Sequence, residues 1–149
     1  MQPVELIRAK KGAQKVSCTK VLQSHCGLGL ADAKHTTDAL LGREHPIVDL
    51  PSDEAARDLI ATLLKLGVTA RFAASPNYSP ESRCAVFLAL VAKVVQPEVS
   101  LTCESLTGHG EWEMAISHGL AHVGDATASG ETIESLQRIA AEFGIDWHP

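Results

Sequence analysis

Polar and apolar residues alternate from Val4 to Lys10, setting Val4, Leu6 and Arg8 opposite Glu5 and Ile7, and this period of two predicts a strand. Gly12-Ala13-Gln14 breaks it. From Lys15 to Ser24 the period changes: Val16, Thr19 and Val21/Leu22 recur at helical spacing, and Gly27 ends a short helix. In Gly27-Leu28-Gly29-Leu30 the glycines let the backbone turn closely, leaving two leucines free to bury or bind. Asp32 to Leu41 predicts a second helix closed by Gly42. Ile47, Val48 and Leu50 form a short strand that Pro51 terminates, since proline has no N–H for a ladder. The strongest periodicity comes next. Ser52 suits an N-cap, and Asp53 and Glu54 set negative charge against the positive end of the helix dipole. Ala56, Leu59, Ile60, Leu63 and Leu66 then draw one apolar stripe, Gly67 stops it, and Val68, Ala70 and Phe72 alternate as a last strand. The order strand, helix, helix, strand, helix, strand predicts two helices on one face of a small, mostly antiparallel sheet.

Ala73 to Pro80 is turn-rich and marks a domain boundary, giving domains 1–75 and 76–149. Ser79-Pro80-Glu81 starts a helix with a cap, a proline in the first turn and an acid behind it. Cys84, Phe87, Leu88, Val91 and Val94/Val95 form its buried stripe, and Gln96-Pro97 is expected to end it. Val99, Leu101 and Cys103 alternate with Ser100, Thr102 and Glu104, the pattern of a half-buried strand. After a turn at Thr107-Gly108-His109-Gly110, Trp112, Met114 and Ile116 alternate as a second strand. His118-Gly119 then either turns the chain into a third strand at Leu120 to Val123 or lies in a helix. Ser129-Gly130-Glu131 opens a last helix with Ile133, Leu136, Ile139/Ala140 and Phe143 on one face, Gly144 as its stop and Ile145 closing over the end. The expected fold class is α+β: two small α/β-sandwich-like domains, the second reading helix, strands, helix.

Composition narrows the function. The chain has 149 residues, 45% apolar and 21% charged, in the range of ordinary globular domains, which argues against a disordered tail or a fibrous repeat. The net charge of −5 is unevenly placed. Up to Ser75 there are ten Lys/Arg against eight Asp/Glu, a net of +2; from Pro76 onward there are three against ten, a net of −7. The first half is too weakly basic to track a phosphate backbone and the second would be repelled by one, so no direct nucleic-acid partner is expected. The longest apolar run, Cys84 to Ala92, is nine residues, about half of a membrane span, so no membrane partner is expected either. Met1 to Arg8 lacks the continuous apolar segment of a secretory signal. Cys18, Cys26, Cys84 and Cys103 fall at irregular spacing with no Cys-x-x-Cys pair and read as reduced, small apolar residues. A cytoplasmic location follows as the expectation.

Residues 3–74 resemble a known family. Lys15-Val16, Lys20-Val21 and the run Gly27-Leu28-Gly29-Leu30-Ala31-Asp32-Ala33-Lys34, followed by a strand and an Ala-rich, acid-led helix ending in Leu66-Gly67-Val68, look like the C-terminal domain of the bacterial ribosomal stalk protein, the L-seven/twelve family. That domain is not an enzyme; it recruits translational GTPases through its first two helices. By position, the resemblance implies a partner-binding surface at Lys15, Thr19, Lys20, Leu28, Gly29, Leu30 and Lys34. Gln23 stands where the family has a basic residue and Thr19 where it has an apolar one, which weakens charge steering and the apolar centre of the contact. The family's dimerisation helices and hinge have no counterpart here, so a true stalk subunit is not expected.

The second half resembles no family, and its chemistry rests on single features. On a helix, His118 and His122 would share a face and could take Zn²⁺ with a third ligand; on a hairpin they would flank a turn. The segment lacks the glutamate beside the first histidine that serves a zinc protease as general base. Structural or surface histidines are the preferred reading, so no metal, cofactor or catalytic residue is assigned. The acids Glu98, Glu104, Glu111, Glu113, Glu131, Glu134, Glu142 and Asp146 form mostly a solvated exterior, and Glu104, Glu111 and Glu113 are candidates for a surface that docks onto a basic partner. The leading expectation is a non-catalytic protein-binding module. The alternatives are an immunity or antitoxin protein acting through the acidic half and, more weakly, a metal-dependent enzyme centred on His118 and His122.

Overall fold

The protein is described by a computed structural model covering residues 1–123 and 128–149. It is an α+β protein with two compact units, Met1–Ser75 and Pro76–Pro149.

The first unit runs β1 (Gln2–Ala9), α1 (Lys15–Cys26), α2 (Leu30–Leu41), β2 (Ile47–Leu50), α3 (Asp53–Lys65) and β3 (Val68–Phe72). Its three strands form one antiparallel sheet in the order β2-β1-β3. Alternation fixes which face is covered. Val4, Leu6, Val48, Leu50, Val68, Ala70 and Phe72 are buried, whereas Glu5, Asp49 and Arg71 lie on the open face. There Glu5 and Arg71 sit opposite each other in the register and pair at 3.5 Å. The covered face carries three helices rather than two, because α1 packs on α2, α3 and β2. Ser52 caps α3 by accepting a hydrogen bond from the Ala55 N–H at 3.1 Å, and Ala56, Leu59, Ile60 and Leu63 bury its stripe. Each of the three larger side chains contributes about 1.5–3 kcal/mol by leaving water. The stripe of α1 differs from the expected one: Cys18, Thr19 and Leu22 are buried, while Val16 is 68% exposed.

Two backbone irregularities break the regularity of this unit. The β1–β3 register shifts between Leu6 and Arg8, leaving Ile7 as the extra residue of a bulge. At the end of α2, Arg43 N–H bonds to Leu40 O and Glu44 N–H to Ala39 O, closing a Schellman motif around Arg43 at φ 63°. Glycine usually fills that left-handed position, and a side chain there costs about 1–2 kcal/mol.

The second unit is all-helical among the described residues: α4 (Pro80–Val91), α5 (Pro97–Gly108), α6 (Trp112–Ala121) and α7 (Gly130–Glu142). The two expected strands are helices. In α5 the alternating Val99, Leu101 and Cys103 are half-buried, 64% exposed and buried, so the buried side follows a helical rather than a two-residue period. In α6 the buried set is Ala115, Ile116, Gly119 and Leu120, and Met114 is 57% exposed. Pro97 starts α5 rather than ending α4, at a first-turn position where its missing N–H has no partner to lose. Gly119 lies inside α6, where an added Cβ would stand 2.9 Å from the Phe87 ring and 3.3 Å from Cys103 Sγ. It is a close-packing contact, neither a turn nor the start of a third strand. The caps of α4 and α7 match the sequence reading: Ser79 accepts from Ser82 N–H and Ser129 from Thr132 N–H. Gly144 at φ 73° ends α7, with Ile145 packed on the core.

One acid departs from the solvated exterior. Glu142 is 1% exposed and receives both Arg83 nitrogens, Nε to Oε2 and Nη2 to Oε1, each at 2.8 Å. The Tyr78 hydroxyl donates to the same carboxylate at 3.4 Å.

Candidate protein-binding surface

Lys15, Thr19 and Lys20 on α1 stand in one helical face with Val16 and Gln23, at spacings of three and four residues. The chain leaves α1 through Gly27, whose φ of 66° few side chains adopt, and re-enters a helix with Gly29 at the N-cap of α2. This short turn sets Leu30 and Lys34 beside the α1 face. The result is a groove of about 240 Å³ lined by Lys15, Val16, Thr19, Lys20, Gln23, Leu30 and Lys34.

Thr19 forms its floor rather than its rim, being 8% exposed. Its hydroxyl meets Thr37 Oγ1 at 2.9 Å and donates to Lys15 O at 3.1 Å, while Thr37 donates to Ala33 O at 3.0 Å. With one hydrogen on each hydroxyl, whichever threonine donates to the other releases its own helix carbonyl, so two of the three contacts are made at a time. Leu30 and Val16 stand above this floor, 64% and 68% exposed. The lysines flank them. Lys15 Nζ pairs with Asp38 Oδ1 at 2.7 Å, and that hydrogen bond and charge hold the Asp38 carboxyl below the usual carboxylate range.

Of the residues implied by the resemblance, Lys15, Thr19, Lys20, Leu30 and Lys34 meet in the groove. Leu28 is half-buried and Gly29 exposed in the turn, and neither lines it. Val16, which the sequence sets at helical spacing with Thr19 and Val21/Leu22, lines the groove as well, although it was not among the residues implied for the surface. Helical spacing sets Val16, Thr19, Lys20 and Gln23 on one face, and the burial of Cys18 and Leu22 beside it turns Val16 outward.

In the second unit, Glu104 on α5, Glu111 at the N-cap of α6 and Glu113 in its first turn are all exposed. His118 and His122 do share a helical side, with ring centroids 4.9 Å apart. Among the described residues no group of three or more His, Cys, Asp or Glu is placed to hold a metal ion. The four cysteines are free, and burial raises every thiol, that of Cys26 to about 11, so all are protonated at neutral pH. Among the described residues no helix is long and apolar enough to cross a membrane. Protein-family models, curated proteins and solved structures offer no match to this chain.

Proposed function

We propose that the chain is a non-catalytic protein-binding module whose α1–α2 groove receives a partner segment with an apolar centre and acidic flanks. The observation that supports this most is the pairing of Val16 and Leu30, both more than 60% exposed, within a frame of Lys15, Lys20 and Lys34. Large apolar side chains held outward beside lysines gain burial on binding, while the lysines orient the approaching acid groups. Together with the resemblance of residues 3–74 to the ribosomal stalk domain, this makes a translational GTPase the partner to test first.

Pull-down of purified bacterial translational GTPases is the direct experiment. Capture is expected, with loss on Val16→Asp/Leu30→Asp and reduced capture that is more salt-sensitive on Lys20→Glu/Lys34→Glu. Capture unchanged in both variants, with the fold intact by circular dichroism, overturns the groove as the contact surface.

The exposed Glu104, Glu111 and Glu113 on a unit of net charge −7 support a second reading, an immunity protein that covers a basic toxin. Rescue of cells from a co-expressed toxin, abolished by Glu104→Lys/Glu111→Lys/Glu113→Lys and retained in the groove variants, separates it from the first.

A further inference from the structure

The two irregularities of the first unit face one cavity. β1 continues beyond Glu5, the last residue with a Cα partner in β2, so Ile7 to Ala9 have no strand on that side. The end of α2 and the loop after it flank this notch, leaving a cavity of about 350 Å³ that is open to solvent on one side. Its walls are Ile7, Leu40 and Leu41, and its charged groups are Arg8, Arg43 and His45. Ile7 is the bulge residue and Arg43 the left-handed one. A bulge re-aims side chains, and a non-glycine residue held at positive φ marks a place where local backbone preference yields to another demand.

The cations are available. Among the described residues no acid pairs with Arg8 or Arg43. His45 Nδ1 lies 3.2 Å from Glu5 Oε1, which holds the ring by one nitrogen and leaves Nε2 for another partner. Two guanidinium groups beside an aliphatic wall suit an anion on a short apolar stem: each fork can grip two oxygens of a carboxylate or phosphate while the leucines cover the carbons. The volume is at the small end of ligand pockets.

We propose that this cavity is a binding site for a small organic anion, a carboxylate or phosphate head on an aliphatic stem, gripped by Arg8 and Arg43. It shares no lining residue with the α1–α2 groove and stands apart from the partner-binding reading.

The test is an NMR titration of the ¹⁵N-labelled full chain with hexanoate, hexyl phosphate and, as the uncharged control, hexanol. At least one anion is expected to bind tenfold or more tightly than hexanol, with amide shifts centred on Ala9, Leu41 and Arg43; which anion wins identifies the head group. Arg43→Gly suits the left-handed backbone, so it should fold at least as well as the parent chain and weaken anion binding tenfold or more. Arg8→Gln, which leaves the loop untouched, should weaken it likewise. Anions that bind no better than hexanol, or binding that survives both substitutions, overturn the proposal.

Discussion

The two units handle buried polarity in opposite ways. In Met1–Ser75 the polar side chains inside are neutral: Gln2, whose amide donates to Ala73 O at 3.1 Å and Pro3 O at 2.7 Å, and the Thr19–Thr37 pair. Among the described residues of Pro76–Pro149 the buried polar side chain is a carboxylate, Glu142, joined to Arg83. A hydroxyl that loses its neighbour still has a backbone carbonyl within reach. A buried carboxylate that loses its guanidinium keeps a charge where water cannot follow, so breaking such a pair costs more than the pair contributes to stability. The neutral solution tolerates substitution. The ionic one fixes a geometry.

The contrast is most exposed to failure at Arg83. Arg83→Met should lower the stability of the second unit by about 3 kcal/mol, the low end for a broken buried pair because part of the Arg83 side chain meets water. Both tryptophans, Trp112 and Trp147, belong to that unit, so fluorescence during urea unfolding reports on it directly. Arg83→Met/Glu142→Leu should recover most of the loss, and a single variant indistinguishable from the parent chain would remove the ionic half of the comparison. A smaller cost is expected at Gly119→Ala. Crowding the Phe87 ring costs about 1–3 kcal/mol, and the better helix propensity of alanine returns about 1, leaving a net loss near 1 kcal/mol by the same denaturation experiment.

In the first unit the effects should be milder. Thr37→Val removes one hydroxyl but leaves Thr19 bonded to Lys15 O, for a cost of about 0.5–1 kcal/mol, read as faster amide exchange along α1 and α2. A loss comparable to that of Arg83→Met would mean the hydroxyl pair is as demanding as the ion pair. The smallest effect belongs to the exposed Lys15–Asp38 pair. Its depressed carboxyl stabilises the fold above the pKa of the unfolded chain, and that contribution disappears as pH falls through the folded-state pKa. Lys15→Gln should move the Asp38 titration, followed by carboxyl ¹³C shifts, back up toward the ordinary carboxylate value while leaving thermal stability nearly unchanged.

Legibility also divided at the boundary between the units. In the first, each element carried its own signal: alternation in β1 and β3, a cap and stripe in α3, and a glycine after α1. In the second, α4 and α7 were readable from their serine caps, but α5 and α6 were not. Leu101 and Met114 supplied the false alternation. Each is an exposed apolar residue on a helix with a narrow buried side, and a helix whose outer surface is partly apolar loses the contrast that periodicity detects. The missing signals were present but weak: Pro97 reads equally as the end of one helix or the first turn of the next, and Gly119 equally as a turn or a packing contact.

The groove was half visible for the same kind of reason. The lysines and Leu30 were named through the family resemblance of residues 3–74, and it is the turn between α1 and α2 that brings them into one groove. Which side of α1 faced the core could not be read, because Val16 and Leu22 are both apolar and only packing against α2, α3 and β2 decides between them. Arg83–Glu142 and the Arg8–Arg43 cavity lay further out of reach, joining residues 59 positions apart in one case and two backbone irregularities in the other.

By itself the sequence determined what depends on neighbours along the chain: the caps, the turns, the strands and helices of the first unit, and a charge of +2 before Pro76 against −7 after it. The tertiary structure alone decided which apolar residues stay outside, that one acid lies inside, and that two arginines from distant elements share a cavity. Those outcomes depend on what each side chain meets across space, and a one-dimensional pattern records spacing along the chain but not the partner on the other side.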